Sequence, residues 1–139
     1  MENKKTGDLG EKYAQRVLLE KGFKIVGENY HSRYGEIDII AQNNEFILFV
    51  EVKTRSENSL GSPAQAVTKQ KQKKILRTAV EYINKTNCEL QPRFDVIEII
   101  TQKGEEFKVK EHNHIENAFW AEDIYAIFWP SLWYTHKVL

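Results

Sequence analysis

Glu36 and Asp38 stand two residues apart in "GEIDII", and Glu51 and Lys53 stand two apart in "FVEVKTR". Side chains two apart on a strand share a face. Each pair should therefore present its charges to one side while Ile37, Ile39, Val50 and Val52 turn to the other. With Asn43–Asn44 as a two-residue turn, Gln42 faces Glu45, Glu36 faces Glu51 and Asp38 faces Phe49. Directly opposed residues lie on one face, so a single hairpin collects three carboxylates and a lysine. A loop longer by one residue would send the two pairs to opposite faces. Crowded carboxylates raise one another's pKa and take up a proton unless a cation joins them. Oxygen-only ligands with room for water suit Mg2+ or Mn2+. Such an ion lowers the pKa of a bound water and polarises a phosphoryl oxygen. A lysine beside it stabilises negative charge on a reacting phosphate. Lys53, Glu36, Asp38 and Glu51 thus read as the catalytic set of an open metal site for phosphodiester hydrolysis. An E-x-K pair alone is common on the wet face of an antiparallel sheet, where it is an ion pair worth roughly 0–1 kcal/mol. The acidic pair on the preceding strand is what gives the lysine a chemical context.

The elements that must hold these residues follow from periodicity. Residues 8–21 read as a helix, with Leu9, Tyr13, Val17 and Leu18 about a turn apart and Gly22 at its C-terminal end. Residues 23–30 read as a short strand, followed by the hairpin. A second helix is expected from "GSPAQAV" onward, with Ser62 as its cap and Pro63 at its first position. Its buried stripe would be Ala66, Ile75, Ala79, Tyr82 and Ile83. "RFDVIEII" from Arg93 reads as a strand, and "EEFKVKEH" as one more, paired to it through a turn at Lys103–Gly104. The order of helix, three strands, helix and two strands predicts an α/β fold with one mixed sheet and helices packed on it. Residues 1–119 form the expected domain. Residues 120–139 carry all three tryptophans and a helix-breaking Pro130, and read as an aromatic extension or a docking segment for a protein partner.

The 139 residues suit one domain, and 41% hydrophobic with 29% charged residues is a globular balance. Twenty basic residues against twenty acidic give no net charge. That argues against a protein that merely coats nucleic acid, but a local basic strip remains open to it. The lone Cys88 forms no internal disulfide and fits a reduced, cytoplasmic setting. The polar N-terminus does not read as a signal peptide, and no apolar run is long enough to span a membrane.

"TKQKQKKILR" supplies Lys69, Lys71, Lys73, Lys74 and Arg77 without an intervening acid. As a bland solvated helix face it needs no explanation. As a phosphate-tracking strip it would lay DNA beside the acids, with Arg33 adding a contact. Phosphate contacts position a strand without reading its sequence, so binding selective for structure is the expectation. His112 and His114, sharing a strand face near Glu111 and Glu116, form a weaker rival zinc site. Cys88 lacks a base and an orienting partner for thiol catalysis.

These segments also carry a likeness. "GEIDII" followed by "FVEVKTR" resembles the PD-(D/E)xK nuclease superfamily, with its restriction-endonuclease-like fold. A finer resemblance, to the bacterial YraN-like family similar to archaeal Holliday-junction resolvases, runs in order through "GDLGEKYA", "NYHSRYGEIDIIA", "FVEVKTR", "GSPAQAV" and "RFDVIEI" over residues 7–119. The resemblance implies that Asp38 and Glu51 bind the metal, that Lys53 is the catalytic lysine, and that Glu36 matches the acid of "GEID". It also implies that Glu11 is the helix glutamate brought to the metal, where spacing alone reads it as an exposed first-turn residue. Ile37 stands where the superfamily's namesake has proline. The expectation is a Mg2+- or Mn2+-dependent endonuclease acting on DNA, with branched or junction DNA preferred. Symmetric cutting of two strands would call for a homodimer. The alternatives are a non-catalytic nucleic-acid-binding module and a protein-interaction adaptor on the same fold. Clustered acids repel a polyanion unless a cation intervenes, which ranks the enzyme first.

Overall fold

Among the described residues, five strands, the central ones buried on both faces, and two amphipathic helices assemble into the expected α/β arrangement. The computed structural model describes residues 4–58 and 67–119. The elements are α1 (Lys4–Glu20), β1 (Lys24–His31), β2 (Glu36–Gln42), β3 (Phe46–Ser56), α2 (Lys69–Thr86), β4 (Gln91–Thr101) and β5 (Val109–Ile115). The five strands form one mixed sheet in the order β1-β2-β3-β4-β5. β3 and β4 run parallel and the other pairs antiparallel. A parallel neighbour requires a crossover, and α2 supplies it.

Each face of the sheet has its own helix. Ala14 and Leu18 of α1 pack with Ile39, Ala41, Leu48, Val50, Ile97 and Ile99. Ile75, Leu76, Ala79 and Ile83 of α2 pack with Ile37, Ile40, Ile47, Phe49, Phe94 and Val96. The residues of β3 and β4 alternate between the two clusters, as a strand covered on both sides must. This two-helix, five-stranded core is consistent with the restriction-endonuclease-like architecture.

Several boundaries differ from expectation for local reasons. The α1 stripe is Gly10, Ala14, Val17 and Leu18, with Leu9 and Tyr13 only half-buried. A Cβ on Gly10 would lie 2.0 Å from Thr54 Oγ1, so the glycine lets α1 lie directly on β3. Gly22 ends α1 as expected, at φ 91, with Phe23 donating its N–H to the Leu18 carbonyl at 3.0 Å. Within the described residues α2 starts only at Lys69, because the Thr68 side chain caps it by accepting the Lys71 N–H. Ser62, Pro63 and Ala66 lie outside the described residues, as does the segment 120–139. β5 starts at Val109 rather than Glu105, because Gln102 donates to the Lys108 carbonyl at 2.8 Å and closes a longer loop than a tight hairpin turn.

Candidate functional site

The hairpin register decides where the acids go. The Asn43 side chain accepts the N–H groups of Glu45 (2.8 Å) and Phe46 (2.7 Å), and Asn43 N–H donates to the Phe46 carbonyl. The turn therefore centres on Asn44–Glu45, one residue later than Asn43–Asn44. Gln42 pairs with Ile47 and Ile39 with Val50. Phe49 faces Ile40, and the pairing ends at Ile39–Val50, which corrects the expected Asp38–Phe49 pairing and leaves Glu36 and Asp38 beyond the paired stretch of β2 and β3. Within the paired stretch, a displacement of two residues keeps each side chain on its face. One further correction concerns β2 itself. Ile37 belongs to the α2-side cluster and Ile39 to the α1-side cluster, so the strand does not alternate strictly there. The reason sits between them: Asp38 Oδ2 accepts the Val52 N–H at 2.8 Å, substituting a side-chain bond where the backbone pairing ends.

Asp38 and Glu51 line one cleft of about 370 Å3 together with Gly35, Glu36, Gln70, Lys71 and Lys74. Glu51 is buried, at 5% exposure. Burial pushes the Asp38 carboxyl up to about 8, and the charges of Glu51 and Glu11 push the same way; the Val52 N–H and the Lys71 charge pull against them. Lys71 Nζ lies 2.5 Å from Glu51 Oε2, and Lys53 Nζ lies 3.7 Å from the same oxygen. Burial disfavours the Lys71 charge, but its bond to Glu51, the Glu51 charge and its neighbours Lys53 and Asp38 together outweigh that and leave its pKa raised. Glu36 stands at the rim, 40% exposed, with His31 Nε2 at 3.6 Å.

Glu11 is half-buried rather than exposed. Burial raises its pKa, and the charges of Asp8, Glu36 and Glu51 add to the rise, while a hydrogen bond from Asn29 opposes it. α1 thus brings Glu11 within electrostatic reach of the acids from one sheet face, while α2 brings Lys71 from the other. Asn29 falls opposite Asp38 by the β1–β2 count and holds a left-handed φ of 48. That conformation is uncommon for a non-glycine residue and costs local strain.

The basic run divides. Lys71 turns into the cleft. Arg33, Lys69, Lys73, Lys74 and Arg77 line an adjoining groove with Tyr34 and Gln70. Sequence reasoning missed Lys71's position, Asn29, Tyr34 and Gln70; only the left-handed tolerance of asparagine offered a signal for any of them. The rival histidine site has other partners: His112 meets the Tyr13 hydroxyl at 3.0 Å, and His114 meets Asp95 and Lys21, each at 2.8 Å.

Among the described residues, no three His, Cys, Asp or Glu side chains converge tightly enough to make a closed metal-binding group. A hydrated hard cation needs only one or two carboxylates. Two buried or half-buried oxygen donors, one held near neutrality and the other matched by an ammonium, have the charge and chemistry that such a cation suits.

Residues 10–99, which include every residue of the cleft and groove, match the uncharacterised protein family UPF0102. The chain belongs to the UPF0102 (YraN) family. It is 48% identical over 120 residues to the UPF0102 protein of Clostridioides difficile, covering 86% of this chain and 100% of that one. It is 46% identical over 119 residues to the UPF0102 protein of Caldanaerobacter subterraneus, covering 84% and 97%. A UPF0102 protein of Prosthecochloris aestuarii is 46% identical over 123 residues, with 84% and 94% covered. Among the described residues of this UPF0102 protein, no helix is long and apolar enough to cross a membrane.

Proposed function

We propose that this UPF0102 protein is a divalent-metal-dependent endonuclease of PD-(D/E)xK type that hydrolyses DNA phosphodiester bonds in the cytoplasm, with branched or junction DNA as its preferred substrate. The observation that carries the reading is the meeting of Asp38 and Glu51 in one cleft with two ammonium groups beside them. Asp38 and Glu51 would hold Mg2+ or Mn2+, with Glu11 and Glu36 as the outer acids. The ion, when bound, supplies an acidified water and a polarised phosphoryl oxygen. Asp38 would hold the ion in its ionised form, and Glu51 would offer it the oxygen that Lys71 and Lys53 now share. Lys71 and Lys53 would face the phosphate and stabilise its developing charge. The cations of α2 and Arg33 hold the flanking backbone.

The Lys71–Glu51 ion pair also favours a second reading. It neutralises one buried acid without any metal, as a binding module that never cuts would need. One experiment separates the two. A four-way junction, a linear duplex and single-stranded DNA are incubated with the protein in Mg2+, Mn2+ or EDTA. The enzyme cuts only with metal, and Asp38→Asn and Lys53→Ala abolish cutting while the fold persists. Binding without cutting under both metals establishes the module instead. No binding to any nucleic acid would leave the adaptor reading, tested by partner capture with and without residues 120–139. Paired symmetric nicks on the junction would require a two-fold dimer in solution.

A further inference from the structure

The groove next to the cleft has features that a general phosphate strip does not need. It encloses about 670 Å3 and shares Gln70 and Lys74 with the acidic cleft, so the two are continuous. No acid lines it. Lys69, Lys73 and Arg77 recur at four-residue intervals along α2, a rise of ~6 Å each, comparable with the spacing of successive phosphates on an extended strand. Opposite them stands Tyr34, half-buried on the turn between β1 and β2. The Arg33 guanidinium lies 5.1 Å from its ring centre and that of Arg77 5.5 Å.

That turn is fixed in place. Ser32 N–H donates to the Gly35 carbonyl at 2.8 Å, Tyr34 N–H donates to Ser32 Oγ at 3.0 Å, and Ser32 Oγ meets Thr78 Oγ1 of α2 at 2.7 Å. A Cβ on Gly35 would come 3.3 Å from Lys74 Cβ, so the glycine lets the turn close against the helix. A rigid turn therefore holds an aromatic ring among five cations at the mouth of the cleft. The guanidinium contacts with the ring relieve only part of the repulsion among those cations.

We propose that this groove seats an unpaired nucleic-acid strand, its phosphates along α2 and one base against the Arg33–Tyr34–Arg77 stack. The inference rests on reading the cleft as a nucleic-acid site and adds the class of substrate beside it. Phosphates need only the cations. A base reaches an aromatic ring or a guanidinium plane only when it is unstacked, and duplex bases are stacked on both faces. The substrate would thus carry a single-stranded arm, gap or opened junction next to the bond that is cut.

The test uses the full chain in EDTA, so that nothing is cleaved, with fluorescence anisotropy at one fixed salt concentration. The probes are a short oligothymidine, an oligouridine, an abasic strand of the same length and a matched duplex. The base-bearing strands should bind about tenfold more tightly than the abasic strand and more tightly than the duplex. Tyr34→Ala should remove the advantage over the abasic strand, and Tyr34→Phe should keep it. Lys73→Ala should weaken base-bearing and abasic strands alike. Equal affinity of the wild-type protein for base-bearing and abasic strands, or tighter binding of the duplex, overturns the proposal without relying on any variant. Loss of all binding in Tyr34→Ala, abasic strand included, makes Tyr34 a structural tie and also overturns it. Base-dependent binding with no cutting in Mg2+ or Mn2+ keeps the seat and removes the nuclease. Cutting with base-independent binding does the reverse.

Discussion

Asp38 and Asp95 are both strand aspartates drawn out of water, yet their chemistry is opposite. Burial raises the pKa of either acid. For Asp95 it is outweighed: the His114 ring, the Arg93 guanidinium and the Asn117 N–H together hold the carboxyl below its usual range. Asp38 receives one backbone N–H and has Glu51 and Glu11 for neighbours, so it rises to about 8. Arg93 is itself stacked over the Phe46 ring at 4.9 Å and the Phe23 ring at 5.7 Å. The Asp95 network is closed on every side and ties β4 to β5 and, through Lys21, to the end of α1. In the cleft the ammonium groups of Lys71 and Lys53 sit on Glu51, and Asp38 has only the Val52 N–H among the described bonds. Burial alone does not mark a functional acid; the deficit of partners does.

The largest expected effect lies on the cleft side. Asp38→Asn should lower metal-dependent cutting by at least about a thousandfold, or ~4 kcal/mol of barrier, with no loss of stability in EDTA. Asp95→Ala should do the converse, leaving cutting per folded molecule intact. Its cost should be about 3–5 kcal/mol of stability, because Arg93 is left buried and short of its partner. Urea midpoints and initial cleavage rates for the two variants give the answer, and a stability loss in Asp38→Asn comparable with that of Asp95→Ala would erase the distinction.

The pH dependence sharpens the same contrast. With its folded pKa raised, Asp38 keeps a proton that the unfolded chain releases near pH 4. Its contribution to stability is present below that value and is lost as pH rises towards 8. Asp95 works oppositely: its contribution is present above pH 4 and lost as the solution is acidified below it. In EDTA the wild-type protein should lose on the order of a few kcal/mol between pH 5 and pH 8 relative to Asp38→Asn. Mg2+ binds the ionised form, so the stabilisation it gives should grow over that interval. Thermal melts with and without Mg2+ at the two pH values measure both slopes. A metal effect that does not change with pH would remove Asp38 from the ion.

Much of this arrangement was legible from spacing. The i, i+2 rule put Asp38 and Glu51 on the same side, and the two do line one cleft, although the strand stops alternating at Asp38. The turn centre was not legible, because it is set by the Asn43 side chain accepting the N–H groups of Glu45 and Phe46. Nor was the bend at Asp38, which depends on a bond to Val52 fourteen residues away. Lys71 reads like its neighbours Lys69 and Lys73 in the sequence. Only the rotation of α2 on the sheet, fixed by Ile75, Ala79 and Ile83, separates the lysine that enters the cleft from those that line the groove. The role of the buried acids of "RFDVIEII" was not legible either, since their partners Arg55, Asn113 and His114 come from other strands.

Gly10 links the two regions, since α1 packs on the face that holds Asp95 while delivering Glu11 towards Asp38. Alanine there gains helix propensity worth roughly 0.5–1 kcal/mol. Its Cβ would meet a β-branched Thr54 side chain that has little freedom to turn away, and overpacking of this kind costs about 1–3 kcal/mol. Gly10→Ala should therefore lose about 1 kcal/mol of stability. It should also lower cutting several-fold by moving α1, and Glu11 with it, off the sheet. Thr54→Ser, which removes the methyl but keeps the hydroxyl, should not restore the activity, whereas Thr54→Gly in the Gly10→Ala background should restore part of it. Activity that falls in Gly10→Ala and does not recover in the double variant would mean that Gly10 acts on the metal acids by some route other than the spacing of α1 and β3.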